Sequence, residues 1–135
     1  MFLTNTVIYD GNFKCTAHND ASGKTFTTNA NNGDKPTDFS PMDILCSALG
    51  SCTLSVLAFA SVRENLVLDG MKAEVKCSLD EKTHKPIGFD ITITMPKNLE
   101  ITDVQKKKLE KYANSCPVKV SLNPELKINT VFVYW

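Results

Sequence analysis

The chain has 135 residues, 42% of them apolar and 22% charged, and its fifteen basic side chains balance fifteen acidic ones. That length and composition describe one globular domain, residues 1–135, able to bury a core without disulfide staples. The balanced charge leaves no electrostatic footprint for nucleic acid or an anionic membrane, and Lys106, Lys107 and Lys108 beside Glu110 read as a solvated helix face.

The opening residues, MFLTNTVIYDG, have neither the basic start nor the apolar run of a secretory signal, so a cytoplasmic location is expected. In that compartment the five cysteines, Cys15, Cys46, Cys52, Cys77 and Cys116, are expected as thiols rather than a disulfide framework. The sequence contains no Cys-x-x-Cys, and neither His18 nor His84 stands at zinc-finger spacing from a cysteine pair. No metal or bound cofactor is expected.

Residues 2–9 are rich in β-branched and aromatic side chains and read as a strand. The hairpin signal DGN at 10–12 leads to a second strand over 13–18, and DASG at 20–23 turns the chain into a third over 24–28. The polar stretch NANNGDKPTDF, residues 29–39, reads as an exposed connection.

Ser40 then starts a helix. Its hydroxyl suits the N-cap, Pro41 lacks an N–H that would be orphaned, and Asp43 complements the positive helix end. The helix closes near Arg63-Glu64-Asn65. Residues 44–62 are nineteen positions without a charge, which meets the length of a membrane span. The serines and Gly50 inside that stretch, and the alternation elsewhere in the chain, favour a central helix covered on every side by protein.

Over 71–79 the chain alternates, with Met71, Ala73, Val75, Cys77 and Leu79 on the apolar face. DEKTHKPIG turns it, and Phe89, Ile91, Ile93 and Met95 alternate until Pro96. Thr102-Asp103 opens a second helix, with Val104, Leu109, Tyr112, Ala113 and Cys116 on one side; Pro117 breaks it. After a short helical turn and loop, residues 127–135 form the last strand. The order βββ-α-ββ-α-β specifies an α+β fold with a largely antiparallel sheet.

Two thiols stand out by position. Cys52 lies mid-helix in the apolar segment, where desolvation disfavours a thiolate. Cys116 stands directly before Pro117, and if that proline opens a short helix, Cys116 is its N-cap, where free N–H groups favour the thiolate. Cys15, Cys46 and Cys77 read as small space-filling residues. Cys46 precedes Cys52 by six residues, about 240° around the helix, so the two cannot bond to each other. Whether Cys52 and Cys116 meet is left open by the pattern.

SPMDILCSALGSC, with its proline eleven residues before Cys52, resembles the helix start of the OsmC/Ohr family of thiol-dependent peroxidases. ANSCPVKVSL resembles that family's second signature, and the two cysteines stand 64 residues apart. The resemblance covers nearly the whole chain. It implies an intertwined homodimer with active sites at the subunit interface, and it makes Cys52 the peroxidatic and Cys116 the resolving cysteine. The implied substrates are lipophilic organic hydroperoxides, and the implied reductant is an external dithiol of lipoyl type; no nucleic-acid or membrane partner is implied.

Peroxidases of that family activate the attacking sulfur with an arginine from the N-terminal strands and a glutamate just after the helix-start proline. In this sequence Met42 follows Pro41, and Asp43 comes one position later, about 100° further round. The sole arginine is Arg63, and Lys14, Lys24 or Lys35 would lack its bidentate fork. Asp43 and Arg63 are therefore the supporting candidates. Arg63 also reads as a cation at the helix C-terminus, unless a partner chain brings it near a thiol. Two alternatives remain: a non-catalytic protein binding a lipid-like or other small molecule, and a thiol sensor acting on a partner.

Overall fold

Turn residues and alternating apolar positions divide the chain as the sequence suggests. The computed structural model describes residues 1–31 and 33–135. Its order is β1 (Asn5–Gly11), β2 (Lys14–Asn19), β3 (Thr25–Asn29), α1 (Pro41–Arg63), β4 (Lys72–Leu79), β5 (Pro86–Thr94), α2 (Asp103–Ala113), α3 (Pro117–Ser121) and β6 (Lys127–Val133). Position 32, within the polar connection 29–39, lies outside the described residues. The chain forms two compact units, Met1–Leu45 and Cys46–Trp135. The strands fall into two three-stranded sheets, and three of their four pairings are antiparallel.

In the first unit, β1, β2 and β3 pair antiparallel in chain order. Gly11 opposes Lys14, so the hairpin turn is Asn12-Phe13, with φ of 52° and 64°. Those left-handed values are what a two-residue type I′ turn requires. The connection after β3 is tied down by one side-chain and one backbone bond: Thr27 donates its hydroxyl to Asp38 at 2.6 Å, and the Asn29 N–H donates to the Phe39 carbonyl at 2.8 Å. α1 opens with a reciprocal capping box. Ser40 Oγ accepts from the Asp43 N–H at 3.1 Å, while the Asp43 carboxylate accepts from the Ser40 N–H and hydroxyl, each at 2.9 Å.

In the second unit the sheet order is β4-β5-β6, antiparallel then parallel. The parallel step follows from the crossover through α2 and α3, which returns the chain to start β6 beside the start of β5. Gly88 is required at that start: a Cβ there would stand 2.5 Å from the Lys127 carbonyl oxygen. Phe89, Ile91, Ile93 and Met95 point into the core, meeting a layer made by Leu49, Leu57 and Ala60 of α1 and Leu109 and Ala113 of α2.

Three expectations need correction. Leu79 does not share the inner face of β4; it is 43% exposed, because the pairing with β5 shifts register between Ser78 and Leu79. Val104 is 65% exposed in the first turn of α2. It precedes Leu109 by five residues, a rotation of about 500°, which leaves it roughly 140° away from the buried direction. Nor is α1 covered on every side within the chain. It buries one stripe, Leu49, Gly50, Thr53, Leu57, Ala60 and Ser61, and leaves Phe59 and Val62 at 77% and 76% exposure. α1 is long and apolar enough to cross a membrane by length and composition. Its stripe nonetheless packs on protein: a Cβ on Gly50 would lie 3.1 Å from Val75 Cγ2, so the missing side chain lets α1 sit low on β4.

Candidate dithiol site

The buried stripe of α1 turns Thr53 inward and leaves Cys52 beside it, half-buried. Opposite, α2 ends at Ala113 and the chain bends through Asn114 and Ser115 into α3. Pro117 occupies the first position of α3 and Cys116 is its N-cap, fully buried. Proline fits there because its missing N–H is one that the helix leaves unbonded. The bend aims Cys116 at α1, where the Cys52 and Cys116 thiols lie within hydrogen-bonding reach of each other. All five cysteines are thiols with no disulfide among them.

The environment divides the two sulfurs. Burial pushes the Cys52 thiol above its ordinary value; the Val118 N–H works against that, and the neighbouring Cys116 sulfur adds to it. For Cys116, burial also opposes ionisation, but it is outweighed by the Cys52 thiol, the Lys119 N–H, the Thr53 hydroxyl and the Val118 N–H, so the thiol lies below its ordinary value. The Cys116 sulfur makes no full capping hydrogen bond to α3, yet the N–H groups of Val118 and Lys119 lie close enough to favour its anion. The two thiols therefore titrate as one pair, whose surroundings favour the anion at Cys116 over Cys52.

Sequence reasoning missed Thr53 and these amides. Thr53 is 1% exposed, and its single hydroxyl proton is shared between the Leu49 carbonyl, 2.8 Å away and one helical turn back, and the Cys116 sulfur. The available signal was a polar residue at a stripe position, next to a cysteine. The amide donors carry no signal in residue type, since any non-proline residue supplies one.

Asp43 and Arg63 have other partners. Asp43 belongs to the first unit, where its carboxylate caps α1 through Ser40. Arg63 follows Cys52 by eleven residues, roughly 16 Å along the helix axis. Its Nη1 donates to the Tyr112 hydroxyl at 3.4 Å. It lines a cavity of about 700 Å³ with Glu64, Lys108, Lys111, Tyr112 and Ser115, where Lys108 and Glu64 pair at 2.9 Å. Among the described residues no group of three or more His, Cys, Asp or Glu could hold a metal ion.

Comparison with known families agrees with the α+β scaffold. Residues 32–131 match the family model for OsmC-like proteins. This chain belongs to the OsmC-like family. A solved structure from Psychrobacter arcticus, described as an osmotic stress induced and detoxification response protein, is 26% identical. It matches over 98% of this chain and 96% of that one with a TM-score of 0.86. An OsmC-like protein from Mycoplasma pneumoniae is 16% identical over 99% and 97% of the two chains, with a TM-score of 0.85. An organic hydroperoxide resistance protein from Elizabethkingia anophelis is 13% identical over 100% and 97%, with a TM-score of 0.74. The last two show the OsmC-like fold alone. Comparison with curated proteins gives no match.

Proposed function

We propose that this OsmC-like protein is a thiol peroxidase that reduces organic hydroperoxides, with Cys52 as the attacking sulfur and Cys116 as the resolving one. The observation that carries the reading is a hydrogen-bonded dithiol in which Cys52 reaches solvent and Cys116 does not. Within the singly ionised pair, Cys116 accepts the proton of Cys52. The Cys52 thiolate attacks the peroxide, an S–O bond forms, the O–O bond breaks, and the alkoxide leaves as alcohol after taking a proton. The Cys116 sulfur then attacks the Cys52 sulfenic acid; an S–S bond forms and water leaves. An external dithiol, of lipoyl type by resemblance, returns the pair to thiols by exchange.

Support for a greasy peroxide comes from the surroundings of Cys52, an apolar helix with few charges. Homodimer formation and a cytoplasmic setting belong to the same reading, and the exposed Phe59 and Val62 support the former. The test is consumption of cumene hydroperoxide in the presence of a dithiol. Cys52→Ser should abolish turnover, and intact mass should reveal a disulfide in the oxidised wild type. Equal consumption by the variant would sink the assignment.

A second reading has its own observation. Arg63, which an OsmC-like peroxidase could use beside its thiols, instead lines the 700 Å³ cavity with Lys108 and Lys111. A non-catalytic protein would hold a small ligand in that cavity. Native mass spectrometry of the purified protein would reveal a retained ligand, with no disulfide after peroxide.

A further inference from the structure

A second pair of thiols lies outside the site described above. Gly50 lets α1 approach β4 at Val75 and Ala73, with a virtual Cβ 3.1 Å and 3.7 Å from their side chains. One turn back along α1, on the same face, is Cys46; two residues further along β4, on the same face as Val75, is Cys77. Those two steps are about 6 Å and about 6.6 Å long, so they bring Cys46 over Cys77. The side chains meet accordingly: the Cys46 thiol lies within hydrogen-bonding reach of the Cys77 sulfur. The Cys77 S–H in turn faces the Ser78 carbonyl at 3.9 Å. Both residues are half-buried. Cys46 also lines a cavity of about 210 Å³ with Ser47, Gly50, Ser51, Leu54 and Ala73, which Cys77 does not reach.

We propose that Cys46 and Cys77 form a second redox-active dithiol, which a small hydroperoxide entering that cavity oxidises to a disulfide linking α1 to β4. The order of events follows from access. Cys46, at the cavity wall, attacks the peroxide: its S–O bond forms as the O–O bond breaks, and its proton leaves with the alkoxide as alcohol. Cys77 then attacks the Cys46 sulfur; the S–S bond forms, the S–O bond breaks, and hydroxide departs with the Cys77 proton as water. Two electrons pass from the two sulfurs to one peroxide. Burial holds the Cys77 thiol above its ordinary value, which suits a resolving role over an attacking one. The low approach of α1 on β4 at Gly50 brings the faces that carry Cys46 and Cys77 together.

This second site is independent of the Cys52–Cys116 chemistry, and one experiment separates the two. Wild-type protein and the Cys52→Ser/Cys116→Ser double variant are exposed to excess cumene hydroperoxide without reductant. Remaining thiols are alkylated with N-ethylmaleimide after denaturation, and the unreduced digest is mapped by mass spectrometry. The expected result in both proteins is a peptide pair joined through Cys46 and Cys77, two hydrogens lighter than its parts, with N-ethylmaleimide labelling of both residues reduced several-fold. In Cys77→Ser, dimedone should capture a sulfenic acid on Cys46. Full labelling of Cys46 and Cys77 in the wild type overturns the proposal, as does Cys46 overoxidised beside a labelled Cys77. A link from Cys46 to Cys15 or to another chain overturns it as well. Labelling of Cys52 and Cys116 under the same conditions would count against the peroxidase reading alone.

Discussion

A thiol among hydrocarbon side chains keeps its proton unless a neighbour takes it, so the reactivity of Cys52 depends on Cys116. The two sulfurs lie in one pocket yet shift in opposite directions, because the amides of Val118 and Lys119 and the Thr53 hydroxyl all act on Cys116. Its depressed value means that the singly ionised pair forms at lower pH than an ordinary thiolate would; at lower pH still both sulfurs are protonated and the pair is inert. Peroxide attack by Cys52 should therefore rise with pH through the Cys116 titration, at lower pH than for an ordinary thiol. Cys116→Ser removes both the resolving sulfur and the proton acceptor. Measured in a single turnover, where resolution does not count, its attack rate at neutral pH should fall at least about tenfold, with the pH profile moved upward. A profile that superimposes on wild type would show that Cys116 only resolves.

Elements position these residues through small details of register. β6 can pair parallel to β5 only if the chain comes close at Gly88, where even a methyl group would meet the Lys127 carbonyl oxygen. A backbone atom in a ladder cannot swing aside as a flexible side chain can. Gly88→Ala should therefore destabilise the second unit by about 1–3 kcal/mol, read as a lower urea midpoint with an unchanged slope. An unaltered midpoint would mean that the first rung of the ladder is dispensable. At the other sheet face, Gly50 relieves a softer contact with a valine methyl, so α1 can approach β4 and set both thiol pairs at fixed heights along one helix. Cys46 and Cys52 never meet each other, and each finds its partner on a different element.

At the scale of the whole molecule, the sequence made the element order legible because punctuation is local: Ser40-Pro41, Thr102-Asp103 and Pro117 mark helix starts by their own chemistry. The splitting of strands into two sheets and the pairing of thiols are long-range facts, and no local signal encodes them. Cys116 was legible as a cap, its partner only through family resemblance, and Thr53 only as a polar residue on the apolar stripe. The apolar outer face of α1 was misread for the same reason: a sequence reports that a face is greasy, not what covers it. Phe59 and Val62, with Ser55 and Ala58, line an open cavity of about 340 Å³ on that face. A second copy of this chain is the proposed cover. Sedimentation should then give a species of twice 14.9 kDa at micromolar concentration. Phe59→Lys, which places a charge in the apolar patch, should shift it toward the single chain while leaving the far-ultraviolet circular dichroism unchanged. A wild type that sediments as one chain and floats with lipid vesicles would instead make the exposed stripe a membrane-facing surface.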